Sequence, residues 1–206
     1  VARRIESHLL DGPAGKLEAL LEAPEDVEPR AVALISHPHP LFGGTMHNKV
    51  VYRAARALRH AGYVALRFNF RGVGKSEGRH DDGIGEIDDA RAALDWLRNR
   101  YSGLPYTLAG FSFGSRVALD LGCALADAER VIALGYPALR YPAGMTDCAP
   151  PKVFIQSTHD EHGPPSAMEA FLAQVAEPKR LIWVEARDHF FSGGLDELER
   201  EIAAAI

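Results

Sequence analysis

Six short, almost unbroken apolar runs recur along this chain. They are RAVALIS (30–36), YVALRFNF (63–70), YTLAGF (106–111), RVIALGY (130–136), KVFIQS (152–157) and RLIWVEA (180–186). Strands covered by helices on both faces read this way, and such strands belong to parallel sheets. Between most of them lie stretches with apolar residues at helical spacing: 48–62, 83–100, 113–128 and 165–176, with 195–205 closing the chain. Only the connection from 130–136 to 152–157 lacks one. The rhythm predicts an α/β fold with a mostly parallel sheet and helices on both faces. Two further apolar runs, 5–10 and 16–22, flank DGPAG and predict an N-terminal antiparallel hairpin. The sheet then has about eight strands. At 206 residues, the chain suits a single domain over 1–206 with a sizeable core.

In sheets of this kind the working residues sit on loops at the C-terminal ends of strands. Gly110-Phe111-Ser112-Phe113-Gly114 lies at such a place, after YTLA and before a helical stretch. This is the G-x-S-x-G nucleophile elbow. The chain must turn sharply from strand to helix, which strains Ser112 and leaves no room for side chains at Gly110 and Gly114. Ser112 Oγ would stand exposed. The Phe113 N–H, at a helix N-terminus, would face the reacting oxygen as one oxyanion-hole donor.

A serine nucleophile needs a base, and the base needs an orienting acid. In this fold the chain order is Ser, then Asp or Glu, then His. Asp160 follows KVFIQS, and His189 follows RLIWVEA. His189 is the one histidine of nine beyond the last strand-like run. Glu161 and Asp188 are rivals for the acid. Asp160 is favoured over Glu161 by loop position and shorter reach, and over Asp188 because side chains adjacent in sequence rarely converge on one imidazole. His159 and His162 are expected on the loop surface.

The stretch SHPHPLFGGTMHN (36–48) follows RAVALIS, where the second oxyanion donor belongs. Pro38 and Pro40 have no N–H, so the donor is His39 or Leu41. The prolines push His37 and His39 toward extended backbone. Gly43 and Gly44 are expected to permit a tight approach beneath the elbow, and Thr45 or Asn48 to cap the next helix. His37, His39 and His47 also raise a metal site. A metal hydrolase would want a further ligand, usually a carboxylate, and none lies nearby in sequence. The expectation is no metal. A third stretch, FNFRGVGKSEG (68–78), resembles a phosphate-binding loop. Asn69 stands where that pattern needs its first glycine, and no helix follows at once. It is better read as a tight glycine-rich turn, with Arg71 in a buried or half-buried ion pair.

Together these motifs resemble the α/β-hydrolase superfamily. The HPHP and GG stretch, FNFRGVG, GFSFG and DHFF (188–191) are similar to those of a small bacterial group within it. The resemblance covers nearly the whole chain. It implies the α/β-hydrolase fold with a mostly parallel eight-stranded sheet, and Ser112, Asp160 and His189 as the triad. Larger members insert a helical lid after the sixth strand. Here that connection, about 137–151, is too short for one, so an open site is expected.

The expected activity is carboxylesterase-like hydrolysis of a small acyl ester, with no cofactor. Thioesterase, peptidase, acyltransferase and a non-catalytic binding module are the alternatives. Hydrophobic residues make up 47% and charged residues 25%, an ordinary globular composition. The net charge of −5, with no polybasic face, argues against nucleic acid or an anionic membrane as partner. A small-molecule acyl substrate is the expected partner, and the chain itself a monomer or homodimer. Exposed apolar surface is expected near Tyr136, Tyr141, Phe190 and Phe191. No signal-peptide pattern opens the sequence, which begins at Val1 rather than Met. The two cysteines, Cys123 and Cys148, read neither as a zinc site nor as a disulfide framework, so a reducing cytoplasm is the default expectation.

Overall fold

The computed structural model describes residues 3–206. Strands β1 (Arg3–Gly12) and β2 (Gly15–Pro24) form the hairpin. Then follow β3 (Ala31–Ser36), α1 (Lys49–His60), β4 (Tyr63–Phe68), α2 (Ile84–Arg100), β5 (Tyr106–Phe111) and α3 (Phe113–Leu125). The remainder is β6 (Arg130–Leu134), β7 (Lys152–Ser157), α4 (Pro165–Leu172), β8 (Lys179–Val184) and α5 (Leu195–Ala204). One sheet holds eight strands in the order β1-β2-β4-β3-β5-β6-β7-β8. β2 runs antiparallel to both β1 and β4, and β3 through β8 are parallel.

The alternation of side chains along the strands divides the core in two. From β3, Val32 and Leu34 pack with Leu94 and Leu97 of α2 and Val117 of α3, while Ala33 and Ile35 join the cluster of α1 and α5. Every residue of β3, β4 and β5 is buried. That is why these strands read as unbroken apolar runs rather than alternating ones. Asn48 caps α1, its side chain accepting from the Val50 N–H at 2.9 Å. Thr45 instead accepts from the His47 N–H.

Two polar contacts brace this frame. Arg71 makes a two-pronged ion pair with fully buried Asp89, at 3.0 and 2.8 Å, and holds the glycine-rich turn after β4 against α2. Glu22 of β2 is also fully buried, with Arg67 of β4 donating from Nε at 3.0 Å. Arg67 donates further to the Met46 carbonyl at 2.7 Å.

The cysteines depart from the sequence reading. Cys123 of α3 and Cys148 are joined as a disulfide. The segment 137–151 folds back along α3 and brings the two Cα atoms 4.5 Å apart, within bridging range. A separation of 25 residues in sequence does not reveal that return. With the cysteines paired, their number no longer points to a reducing compartment. The expected apolar surface is also corrected. Tyr136 and Phe191 are fully buried, and the exposed apolar side chains near this edge are Leu41, Phe42, Leu139 and Phe190. Among the described residues no helix is long and apolar enough to cross a membrane.

Candidate active site

Ser112 stands between β5 and α3 with φ 55° and ψ −120°, a backbone conformation that costs a non-glycine residue free energy. The flanking glycines explain how the turn is held. A Cβ on Gly110 would lie 2.0 Å from the Gly114 carbonyl oxygen, and one on Gly114 would lie 2.4 Å from that of Ser36. The tight approach beneath the elbow is therefore made by Gly114 against the end of β3. Gly43 and Gly44 do not make it, contrary to expectation. Gly43 takes φ 77° after a short 3₁₀ turn at Pro40–Phe42, and Gly44 packs on the Pro38 carbonyl of its own loop.

Asp160 follows β7 and is almost wholly buried. Its Oδ2 accepts from His189 Nδ1 and from Gln156 Nε2, each at 2.8 Å. Its Oδ1 accepts from the N–H groups of His162 and Gly163 at 2.8 and 3.2 Å. Four donors hold this carboxylate in one orientation. His189, on the turn after β8, packs its ring on Phe111 at 4.9 Å and against the edge of His162 at 4.6 Å. Gly135 leaves space for it, since a Cβ there would sit 3.2 Å from His189 Cε1. The rival acids are engaged elsewhere. Asp188 accepts from the N–H groups of Phe190 and Ser192, and Glu161 meets the backbone N–H of His189 and the ring of His162.

The histidine-rich loop resolves into scaffolding. His37 is fully buried. Its Nε2 accepts from the Phe70 N–H at 3.0 Å, so its Nδ1 carries the proton donated to the Pro38 carbonyl at 2.6 Å. Both ring nitrogens are engaged and neither is open to a metal. Burial pushes its pKa down to about 4, against the bond to Pro38, so the ring is neutral.

His39 Nδ1 accepts from the Leu41 N–H at 3.2 Å. That engages Leu41 and corrects its assignment as a possible oxyanion donor. The His39 N–H makes no hydrogen bond among the described residues. Phe113 begins α3, where the first N–H groups have no partner within the helix.

Two cavities of about 400 Å³ each meet at Ser112. One is bounded by His189, Phe190 and Asn48. The other is bounded by Phe113, Leu139, Arg140 and Tyr141. His39, Phe42 and His162 line both. His162 lines the cleft while remaining on the loop surface as expected, its side chain 55% exposed. The sequence reading missed Gln156, Gly135 and Arg140. Gln156 sits one turn-length before Asp160 in a strand whose other residues read as core, and only the fold shows that it faces the carboxylate.

A serine at a strained strand-to-helix turn, beside a histidine held by a buried aspartate, on an eight-stranded sheet with only a short segment where a lid would be, defines a lidless α/β serine hydrolase. The chain belongs to the family described as serine aminopeptidase, S33, which its residues 27–157 match. It is 34% identical over 203 residues to an uncharacterised protein of Rickettsia prowazekii, covering 93% of this chain and 84% of that one. An α/β serine hydrolase homologue from Coxiella burnetii superposes with a TM-score of 0.92 at 37% identity, covering 98% of this chain and 97% of that one. A Xanthomonas campestris serine hydrolase described as having no lid superposes at 0.90 with 36% identity, over 99% and 94% of the two chains.

Proposed function

We propose that the protein hydrolyses small acyl esters through an acyl-enzyme, as a carboxylesterase does. In this reading Ser112 Oγ attacks the acyl carbonyl and forms the new C–O bond. His189 Nε2 takes the Ser112 proton and delivers it to the departing alkoxide as the old C–O bond breaks. Asp160 holds His189 in the tautomer with its proton on Nδ1 and stabilises the imidazolium. The N–H groups of Phe113 and His39 receive the oxyanion. One such donor is typically worth about 2.7–4 kcal/mol. Water, activated by His189, then attacks the acyl-enzyme and frees Ser112. Every step uses protein groups and water.

The observation that carries this reading is the 2.8 Å bond from Asp160 to His189 Nδ1, which leaves Nε2 for a cleft that also holds Ser112. The family description favours a second reading, an aminopeptidase. Such an enzyme must bind a substrate ammonium group, and no Asp or Glu is among the lining residues of either cavity. That supports the ester reading. A panel of matched ester, thioester and aminoacyl-amide substrates tests the choice. Ester cleavage that is lost in Ser112→Ala is expected, and turnover of the amides alone would reject it.

A further inference from the structure

The two cavities at Ser112 are chemically unequal. His189 must protonate the leaving group, so the leaving group belongs on the side that His189 lines. The acyl chain then belongs on the other side, between Phe113, Leu139 and Tyr141. A volume of about 400 Å³ holds a short chain. Those walls are largely apolar, and among the lining residues Arg140 carries the one permanent charge.

Arg140 lines the acyl side with no carboxylate partner among the described residues. Its one polar side-chain contact is from Nε to the Tyr141 hydroxyl, at 3.4 Å. Other arginines of the frame are satisfied: Arg71 by Asp89, Arg67 by Glu22 and Arg116 by Asp120. Arg140 is the one arginine that lines either cavity.

The backbone beneath Arg140 is anchored. The N–H groups of Arg140 and Tyr141 both donate to the Pro137 carbonyl, at 3.0 and 3.1 Å, and the Leu139 N–H donates to His162. The Tyr136 hydroxyl donates to the Tyr141 carbonyl at 3.1 Å, and the Cys123–Cys148 disulfide ties the segment down further along. The charge reaches across the cavity. The pKa of His39 on the opposite wall is lowered by burial first, then by His80, then by Arg140.

We infer that the acyl side of the cleft takes a short acyl chain ending in a carboxylate, which Arg140 pairs with. The natural substrate class is then a half-ester of a small dicarboxylic acid. This rests on the acyl-hydrolase reading above. A guanidinium offers a carboxylate two parallel N–H donors, and the apolar walls accommodate the methylenes between that carboxylate and the reacting carbonyl.

The test compares chain-matched para-nitrophenyl esters: the mono-ester of glutarate with the pentanoate, and the mono-ester of adipate with the hexanoate. Uncatalysed hydrolysis is subtracted. The expected result is a preference for at least one half-ester of about tenfold in kcat/KM, the scale of one charge-assisted hydrogen bond, expressed mainly in KM. The preference should fall in Arg140→Ala, survive in part in Arg140→Lys, reverse in Arg140→Glu, and weaken with added salt. Cleavage of the neutral esters with no preference, or with a preference that Arg140→Ala leaves intact, would overturn the inference and leave the hydrolase reading standing. Cleavage of neither set, by a folded wild-type protein, would overturn both.

Discussion

The elbow depends on Gly114 as it does on Gly110. Any side chain at Gly114 meets the Ser36 and His37 carbonyls, at 2.4 and 2.5 Å from the Cβ, and neither can swing away as a flexible side chain would. Gly114→Ala should destabilise the fold by about 1–3 kcal/mol, the range for overpacking, and should depress Ser112 reactivity as well. Urea denaturation checks the first expectation, and wild-type stability in the variant would refute it. His37 sets a pH dependence. Its folded pKa of about 4 lies below the ordinary 6.5, so between those values the unfolded chain binds the extra proton. The neutral ring therefore contributes its full stabilisation above about pH 6.5. That contribution, roughly 3 kcal/mol, fades as pH falls toward about 4. His37→Asn should flatten the fall in stability across that window, measured by denaturant melts at a series of pH values. An unchanged slope would show that His37 is not the group responsible.

At the scale of elements, two ties hold the parts that carry the site. Cys123–Cys148 fastens the segment after β6 to α3, the helix that follows Ser112. Replacing both cysteines by serine should cost about 3 kcal/mol, as expected for a closed loop of this length. The same variant should loosen the wall formed by Leu139, Arg140 and Tyr141. Thermal melts report the first effect and KM for acyl substrates the second, and equal Tm values in variant and wild type would contradict the account. Glu22 joins β2 to β4 through Arg67, out of water. Glu22→Ala would leave Arg67 buried without its main partner and should cost about 3–5 kcal/mol. A loss below 1 kcal/mol would mean that Arg67 finds another route to solvent.

At the scale of the molecule, the strand pattern was the most legible feature. Strands buried on both faces read as nearly continuous apolar runs, and β5 and β7 begin and end where the sequence places them. Asp160 and His189 were legible because each follows such a strand. Two of the misreadings share a physical cause, which is that contacts between segments far apart in sequence leave no local pattern. The return of Cys148 to α3 and the burial of Tyr136 and Phe191 both arise this way. The hydrolase account as a whole stands on Ser112 being an activated nucleophile. Fluorophosphonate labelling followed by peptide mass spectrometry tests this most directly. The account predicts one covalent adduct, on Ser112, lost in Ser112→Ala and greatly slowed in His189→Ala. A folded wild-type protein that takes no label at Ser112, or labels equally well without His189, would contradict it.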